Sequence, residues 1–299
     1  MHNELKGQKP YHIPVLVNEV IEGLALKDNG VYLDVTFGGG GHSRALLEAN
    51  PTIKVVGLDW DENAINNAEQ YREQYGDRLQ LIWGSFAHLY KLIRKHKLKK
   101  FDGILADFGT SHYQIFERHG FSVHRDTPLD MRMSLSHFKI TAADIINYGT
   151  AEELREIFWT YGEERHTKKI VVAICEARKK KKITTTFALA KLIADTIGSG
   201  GRIHPATKVF QALRIFVNKE LDNITAFLPV ATDALASNGR LVCISFHSLE
   251  DRLVKQYFQE QVRNGFGTLP SKRSITATDE EISLNAASRS AKLRIFEKK

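Results

Sequence analysis

Val31-Tyr-Leu-Asp-Val-Thr-Phe-Gly-Gly-Gly-Gly-His-Ser43 decides the fold. Val31, Leu33 and Val35 alternate around Asp34, four glycines follow, and Ser43-Arg-Ala-Leu-Leu-Glu48 has helical composition, so the stretch reads as strand, bare turn, helix. Gly38 to Gly41 carry no Cβ, which lets the backbone take positive φ and approach a ligand closely while the N–H groups of the next helix point at it. Gly38-x-Gly40-x-x-Ser43 has the spacing of a dinucleotide fingerprint, with serine where the third glycine would stand. A ligand-free glycine turn fits that motif equally well. The next apolar run, Ile53-Lys-Val-Val-Gly-Leu-Asp59, ends in an acid 25 positions after Asp34. A carboxylate at the tip of the second strand suits ribose hydroxyls, and the pair of signals favours an adenosine-containing cofactor.

The chain has 299 residues, 42% of them hydrophobic, enough for one large domain or one domain with an inserted lobe. Forty-two basic against 35 acidic residues give a net charge of +7, which suggests a polyanionic partner. Cys175 and Cys243 lie in apolar stretches and read as reduced thiols; there is no zinc pattern, and no metal is expected. The first residues hold no apolar core of a signal peptide, and no run has the length to cross a bilayer. The expectation is a cytoplasmic protein without a membrane partner.

Strand and helix signals alternate at the spacing of a parallel sheet, with strands at 31–35, 53–58, 79–83 and 101–107. Gly38 to Gly41, Asp59, Phe86 and Asp107 then fall at one carboxyl edge, where open α/β sheets bind ligands. The basic residues from Lys91 to Lys100 read as a solvated helix face. From about 116 to 208 the alternation stops and capping-box patterns at Thr141-x-x-Asp144 and Thr150-x-x-Glu153 announce helices. The basic run Arg178 to Lys182 is either a solvated helix end or a phosphate contact. Pro205 opens what reads as one long helix carrying Val209, Leu213, Phe216, Leu221 and Leu228 on one face. An Asn238-Gly239 turn, a strand at 240–246 and a last edge strand at 291–296 follow. The expected division is 1–115 plus 209–299 as the nucleotide-binding domain and 116–208 as a helical insertion.

Over nearly its whole length the sequence resembles the S-adenosylmethionine-dependent 16S ribosomal RNA cytosine-N4 methyltransferases, the ribosomal RNA small subunit methyltransferase H family. The resemblance rests on His12-x-Pro-Val-Leu, Asp34-x-Thr-Phe-Gly-x-Gly-Gly-His-Ser43, Asp102-Gly-Ile-Leu-x-Asp107, Pro128-Leu-Asp-Met-Arg-Met133, Tyr161-Gly-Glu-Glu-Arg165, His204-Pro-Ala-Thr-Lys-Val-Phe-Gln-Ala-Leu-Arg-Ile215, Val217-Asn-Lys-Glu-Leu221, Ile244-Ser-Phe-His-Ser-Leu-Glu-Asp-Arg252 and Ser290-Ala-Lys-Leu-Arg294. It implies a class I S-adenosylmethionine-dependent methyltransferase fold, a Rossmann-like and mostly parallel sheet, with the inserted helical domain recognising RNA. By this likeness Gly40, Gly41 and His42 hold the methionine and ribose end of S-adenosyl-L-methionine, Asp59 the ribose hydroxyls and Phe86 the adenine, while Asp107 and Gln114 complete the pocket.

Asp107 is also the candidate catalytic residue, as acceptor for the cytosine amine. Phe108, Tyr113 and Phe121 are candidate partners for the target base. The implied partner is 16S rRNA, within the small ribosomal subunit, with monomer and homodimer both open. The chain departs from the family near the site: Asp107-Phe-Gly-Thr-Ser-His-Tyr-Gln114 replaces the usual Leu-Gly-Val-Ser-Ser-x-Gln after the acid, and His119 replaces an arginine.

Three rival readings touch the same residues. A nicotinamide-dependent oxidoreductase predicts glycine at position 43, and a DNA amino methyltransferase predicts Pro-Pro-Tyr/Phe after the acid of strand four; neither is present. A non-catalytic RNA-binding assembly factor with a nucleoside pocket fits the same residues.

Overall fold

Parallel strands that alternate with helices must bury both faces. The residues here are apolar on both. In the computed structural model, which describes residues 14–109, 119–198 and 203–299, the strands β1 (Val31–Asp34), β2 (Lys54–Asp59), β3 (Leu79–Trp83) and β4 (Phe101–Asp107) are parallel, in the order β3-β2-β1-β4. Strand β5 (Leu235–Ser245) extends the parallel series beside β4. Short β6 (Gly267–Thr268) and β7 (Ile275–Thr276) pair with β8 (Lys292–Lys298), which runs antiparallel to β5.

Alternate residues sort to opposite sides of this sheet. Ile104, Ala106, Leu241 and Cys243 enter one core with Phe227 and Phe258, and Leu105, Val242 and Ile244 enter the other with Leu24, Leu46 and Ala68. The second core is roofed by α1 (Val17–Leu24), α2 (Gly41–Ala49) and α3 (Glu62–Tyr75); the first packs α4 (Leu89–His96), α10 (Glu220–Ala234) and α11 (Ser248–Arg263). The described residues of 1–109 and 221–299 make one compact unit in this way.

Those of 110–220 make a second unit of five described helices, α5 (Ala142–Tyr148), α6 (Ala151–Gly162), α7 (Thr167–Lys180), α8 (Thr186–Ile197) and α9 (Thr207–Asn218). Their apolar stripes meet in a core of their own that includes Ile146, Leu154, Phe158, Ile170 and Leu213. Thr141 and Thr150 each accept the N–H three residues on, and Asp144 and Glu153 reach back to the cap, so both capping boxes form.

Three readings of the sequence need correction. The single long helix after Pro205 is two helices, because Lys219 takes a left-handed turn at φ 51°. Asn218, fully buried at that break, donates to Met131 O and Arg214 O and accepts from Met133 N. The boundary between the two compact units lies just beyond this break, at 220/221. The Asn238-Gly239 turn is an irregularity inside β5, with Asn238 at φ 57° and the register against β4 shifting between Phe101 and Gly103. The terminal strand β8 is not at the edge of the sheet but between β5 and β6.

The run Arg178 to Lys182 also resolves. Arg178 turns inward, its Nη1 donating to Ile146 O at 2.7 Å and Gly149 O at 2.8 Å, and so closes the open carbonyls at the end of α5. Lys179 pairs with Glu176, and Lys182 donates to the Tyr148 hydroxyl. Arg178→Ala leaves two carbonyls without their donor, at a cost of about 1–3 kcal/mol. Lys180→Ala, at an exposed position, is expected within about 0.5 kcal/mol of wild type. Urea unfolding followed by circular dichroism checks the pair, and equal midpoints reject the structural role of Arg178.

Candidate cofactor site

The site is built where strands β1, β2 and β4 end side by side. Asp34 closes the glycine turn. One of its oxygens accepts the Thr36 N–H at 3.1 Å and the other accepts the Ser43 hydroxyl at 2.7 Å, which pins the first turn of α2 to the tip of β1. Serine at position 43 therefore replaces close glycine packing with a buried hydrogen bond. Gly40 is confined to glycine twice over: its φ is +75°, and a Cβ there would lie 2.6 Å from the Phe37 ring.

Asp59, at the tip of β2, is buried and accepts Gly38 N–H at 2.7 Å on one oxygen and Asp61 N–H at 2.8 Å on the other. Each oxygen keeps a second lone pair for a ligand hydroxyl. Burial pushes this carboxyl up to about 6 although the two N–H groups pull it down. Phe86 opens a short 3-10 turn after β3, with its ring 6.3 Å from Trp60 and 5.5 Å from Phe227.

Gly41 is the first residue of α2 and His42 the second. His42 does not cap the helix. Its Nε2 lies 2.8 Å from Val15 O, and since a carbonyl only accepts, that nitrogen carries a proton. Its Nδ1 faces Asp107 Oδ2 at 3.8 Å. Asp107 Oδ1 is buried with no hydrogen-bond partner among the described residues. Burial, opposed by His42 and reinforced by Asp34 and Glu250, pushes Asp107 up to about 7. A buried acceptor without a donor costs on the order of 1–3 kcal/mol, so it marks a place made for a ligand donor.

The structure thus brings Gly40, Gly41, His42, Asp59, Phe86 and Asp107 to one edge of the sheet, with Asp59 and Asp107 both feeling the charge of Asp34. Gln114 and Tyr113 lie outside the described residues. Phe108 is corrected: at 2% exposure it packs on Phe86 and Phe227 in the core and offers no face to a base.

Sequence reading missed three members of this edge. Trp60 follows the acid of β2 directly, and its ring flanks Phe86. Asp34, which reads only as a strand residue in the sequence, clasps the turn to α2. Glu250, fully buried, accepts the N–H groups of Phe246 and His247 and caps α11. The signal for it was the cap spacing His247-x-x-Glu250.

Five parallel strands in the order β3-β2-β1-β4-β5, an antiparallel strand beyond them and a nucleoside-type edge define a class I methyltransferase. Within that class the chain belongs to the MraW methylase family, whose model matches residues 9–299. It is similar to proteins named ribosomal RNA small subunit methyltransferase H from Sulfurihydrogenibium sp., at 45% identity over 95% of this chain and 98% of that one, and from Nostoc punctiforme, at 48% over 96% and 94%. Another, from Coprothermobacter proteolyticus, is 42% identical over 96% of each chain. Among solved structures, an rRNA methylase from Streptococcus thermophilus aligns over 94% of this chain and 93% of its own, at 12% identity and a TM-score of 0.43, too distant a likeness to bear on the site.

The buried acid makes a prediction about stability. In an unfolded chain Asp107 ionises near its ordinary value of 3.8, and in the folded protein near 7. The folded state therefore holds the extra proton between those values, and stability from this group is full at low pH and lost as pH climbs through the window. Asp107→Asn escapes that loss. Its Tm advantage over wild type, without cofactor, is expected to grow from about pH 4 to about pH 7 and level off at roughly 5 °C. Scanning calorimetry across that range checks it, and a constant difference rejects the buried-acid explanation.

Proposed function

We propose that the protein transfers a methyl group from S-adenosyl-L-methionine to the N4 amine of a cytidine in 16S rRNA, in the decoding region of the small ribosomal subunit, in the cytoplasm. The reading is carried by Asp107: a buried carboxylate oxygen without a partner among the described residues, at the tip of β4 beside His42. Class and family membership support it, as do the blocks of sequence shared with the cytosine-N4 enzymes.

S-adenosylmethionine supplies a methyl group already activated on a sulfonium, together with an ammonium and a ribose. The residues fit such a cation. Two buried acids, Asp34 and Asp59, and the partly exposed Asp107, whose Oδ1 is buried, gather at adjacent strand tips, and desolvation raises all three carboxyls. An incoming positive charge favours their ionised forms. Asp59 would take the ribose hydroxyls on its spare lone pairs. Trp60 and Phe86 would flank the adenine, Gly40 would let the backbone approach, and Gly41 and His42 would line the methionine end.

Cytosine N4 is a poor nucleophile, because its lone pair is delocalised into the ring. The protein must therefore orient it and draw electron density back onto nitrogen. Asp107 Oδ1 accepts an N4 hydrogen in this scheme, which biases the lone pair toward the methyl carbon and gives the departing proton an acceptor. Holding amine, carbon and sulfur in line lowers the barrier by roughly 7–11 kcal/mol. The substrate cytidine must be unstacked to enter.

The direct test is mass mapping of 16S rRNA after incubating small subunits with the protein and labelled cofactor. A single N4-methylated cytidine is expected, and no label in RNA rejects the reading. Asp107→Ala, at saturating cofactor, is expected to lower kcat by about 10²–10⁴. Asp59→Ala is expected to raise the cofactor KM by about tenfold or more with little change in kcat, as loss of uniform binding does. The reverse pattern would exchange the two roles.

A further inference from the structure

The helical unit carries a built hollow that the methyl-transfer chemistry does not use. It encloses about 370 Å³ and is lined by Arg155 and Trp159 from α6, by the link Arg165-His166, and by Thr167, Lys168 and Lys169 from the first turn of α7. That volume falls within the range of small-ligand clefts, about 300–1,000 Å³.

Its chemistry is uneven. Trp159 is 64% exposed, an unusual state for the largest apolar side chain in a soluble helix. Four cations surround it. Among the described residues Arg165, Lys168 and Lys169 make no ion pair, and Arg155 has one exposed partner, Glu152, at 3.1 Å, while its Nε is buried without any hydrogen bond. The first turn of α7, whose N-cap His166 makes no side-chain cap, lines the same hollow. Of the acids nearby, Glu164 is buried and accepts the His166 N–H at the start of α7, and Glu156 stands exposed along α6.

We propose that this hollow binds single-stranded RNA, with a base stacked on Trp159 and the flanking phosphates held by Arg165, Lys168, Lys169 and the α7 N-terminus. Several cations, a helix N-terminus and an accessible indole together are the means by which proteins grip unpaired strands without reading sequence. An acidic peptide would satisfy the cations and leave the indole exposed. The inference rests on the RNA methyltransferase reading and deepens it: the helical unit would itself grip the strand whose cytidine is methylated.

The probe is a fluorescein-labelled oligouridine, which offers no cytosine to the methyl site, titrated into the full-length protein over a range of salt. Trp159→Ala is expected to weaken binding by roughly 5- to 150-fold, and Trp159→Phe, which keeps a stacking face, by much less. Lys168→Ala with Lys169→Ala is expected to lower the slope of log affinity against log salt by about 1. Cofactor affinity is expected to stay at the wild-type value in all three.

Oligouridine binding that survives Trp159→Ala, an unchanged salt slope, a mononucleotide binding as tightly as the oligomer, or displacement by an oligoglutamate and not by RNA would each overturn the proposal. Methylation of small subunits by the wild-type protein is measured alongside. If it proceeds while the variants bind oligouridine normally, only this proposal falls; if it does not proceed, the functional reading falls with it.

Discussion

The site depends on one constraint: carboxylates taken out of water at the ends of neighbouring strands must be held by something other than water. Asp34 meets it with a hydroxyl and an N–H, and Asp59 with two N–H groups from the glycine turn and the start of α3. Those bonds fix the turn, and the turn fixes where α2 and His42 begin. Asp107 meets it only in part, with one oxygen facing an imidazole and the other without a partner among the described residues. A cationic ligand with donor hydrogens, as in the proposed function, would relieve that deficit.

That arrangement explains why the turn tolerates serine at position 43. In a dinucleotide fold the third glycine lets helix and strand approach. Here Ser43 is fully buried, and its hydroxyl ties the helix to Asp34. The same residue that weakens the nicotinamide reading is thus what assembles this site. His42 and Glu250 act from either side of Asp107, one lowering and one raising its affinity for a proton. The acid is poised where small changes in bound charge switch its ionisation.

Most of the sheet was legible because its code is local. Alternation around Asp34, the acid ending β2 and the run through Ile104 to Asp107 report strand tips directly, and the capping boxes report α5 and α6. The long shared blocks made the family legible too. What the sequence could not show depends on partners distant in the chain. Arg178 reads as one more cation in a basic run until Ile146 and Gly149 present their carbonyls to it. Phe108 reads as a free aromatic until Phe86 and Phe227 close around it. The break at Lys219 is invisible to helical periodicity, since Asn218 stops the helix through bonds to residues more than eighty positions earlier. Trp159 carried no sequence signal either, because an exposed and a buried indole look alike in a helical pattern.

Asn218 has a consequence for how the molecule comes together. Strands β4 and β5 are neighbours in the sheet, yet the whole helical unit lies between them in the chain. Pairing them from a disordered state means closing a very long loop. Asn218 joins the end of the helical unit to Met131 and Met133 near its beginning, across separations of 87 and 85 positions. Once that clasp has formed, the loop behaves as one roughly a third as long, and its closure entropy falls by about 1 kcal/mol. The inserted helices thus act as a splint, shortening the gap across which the two strands pair.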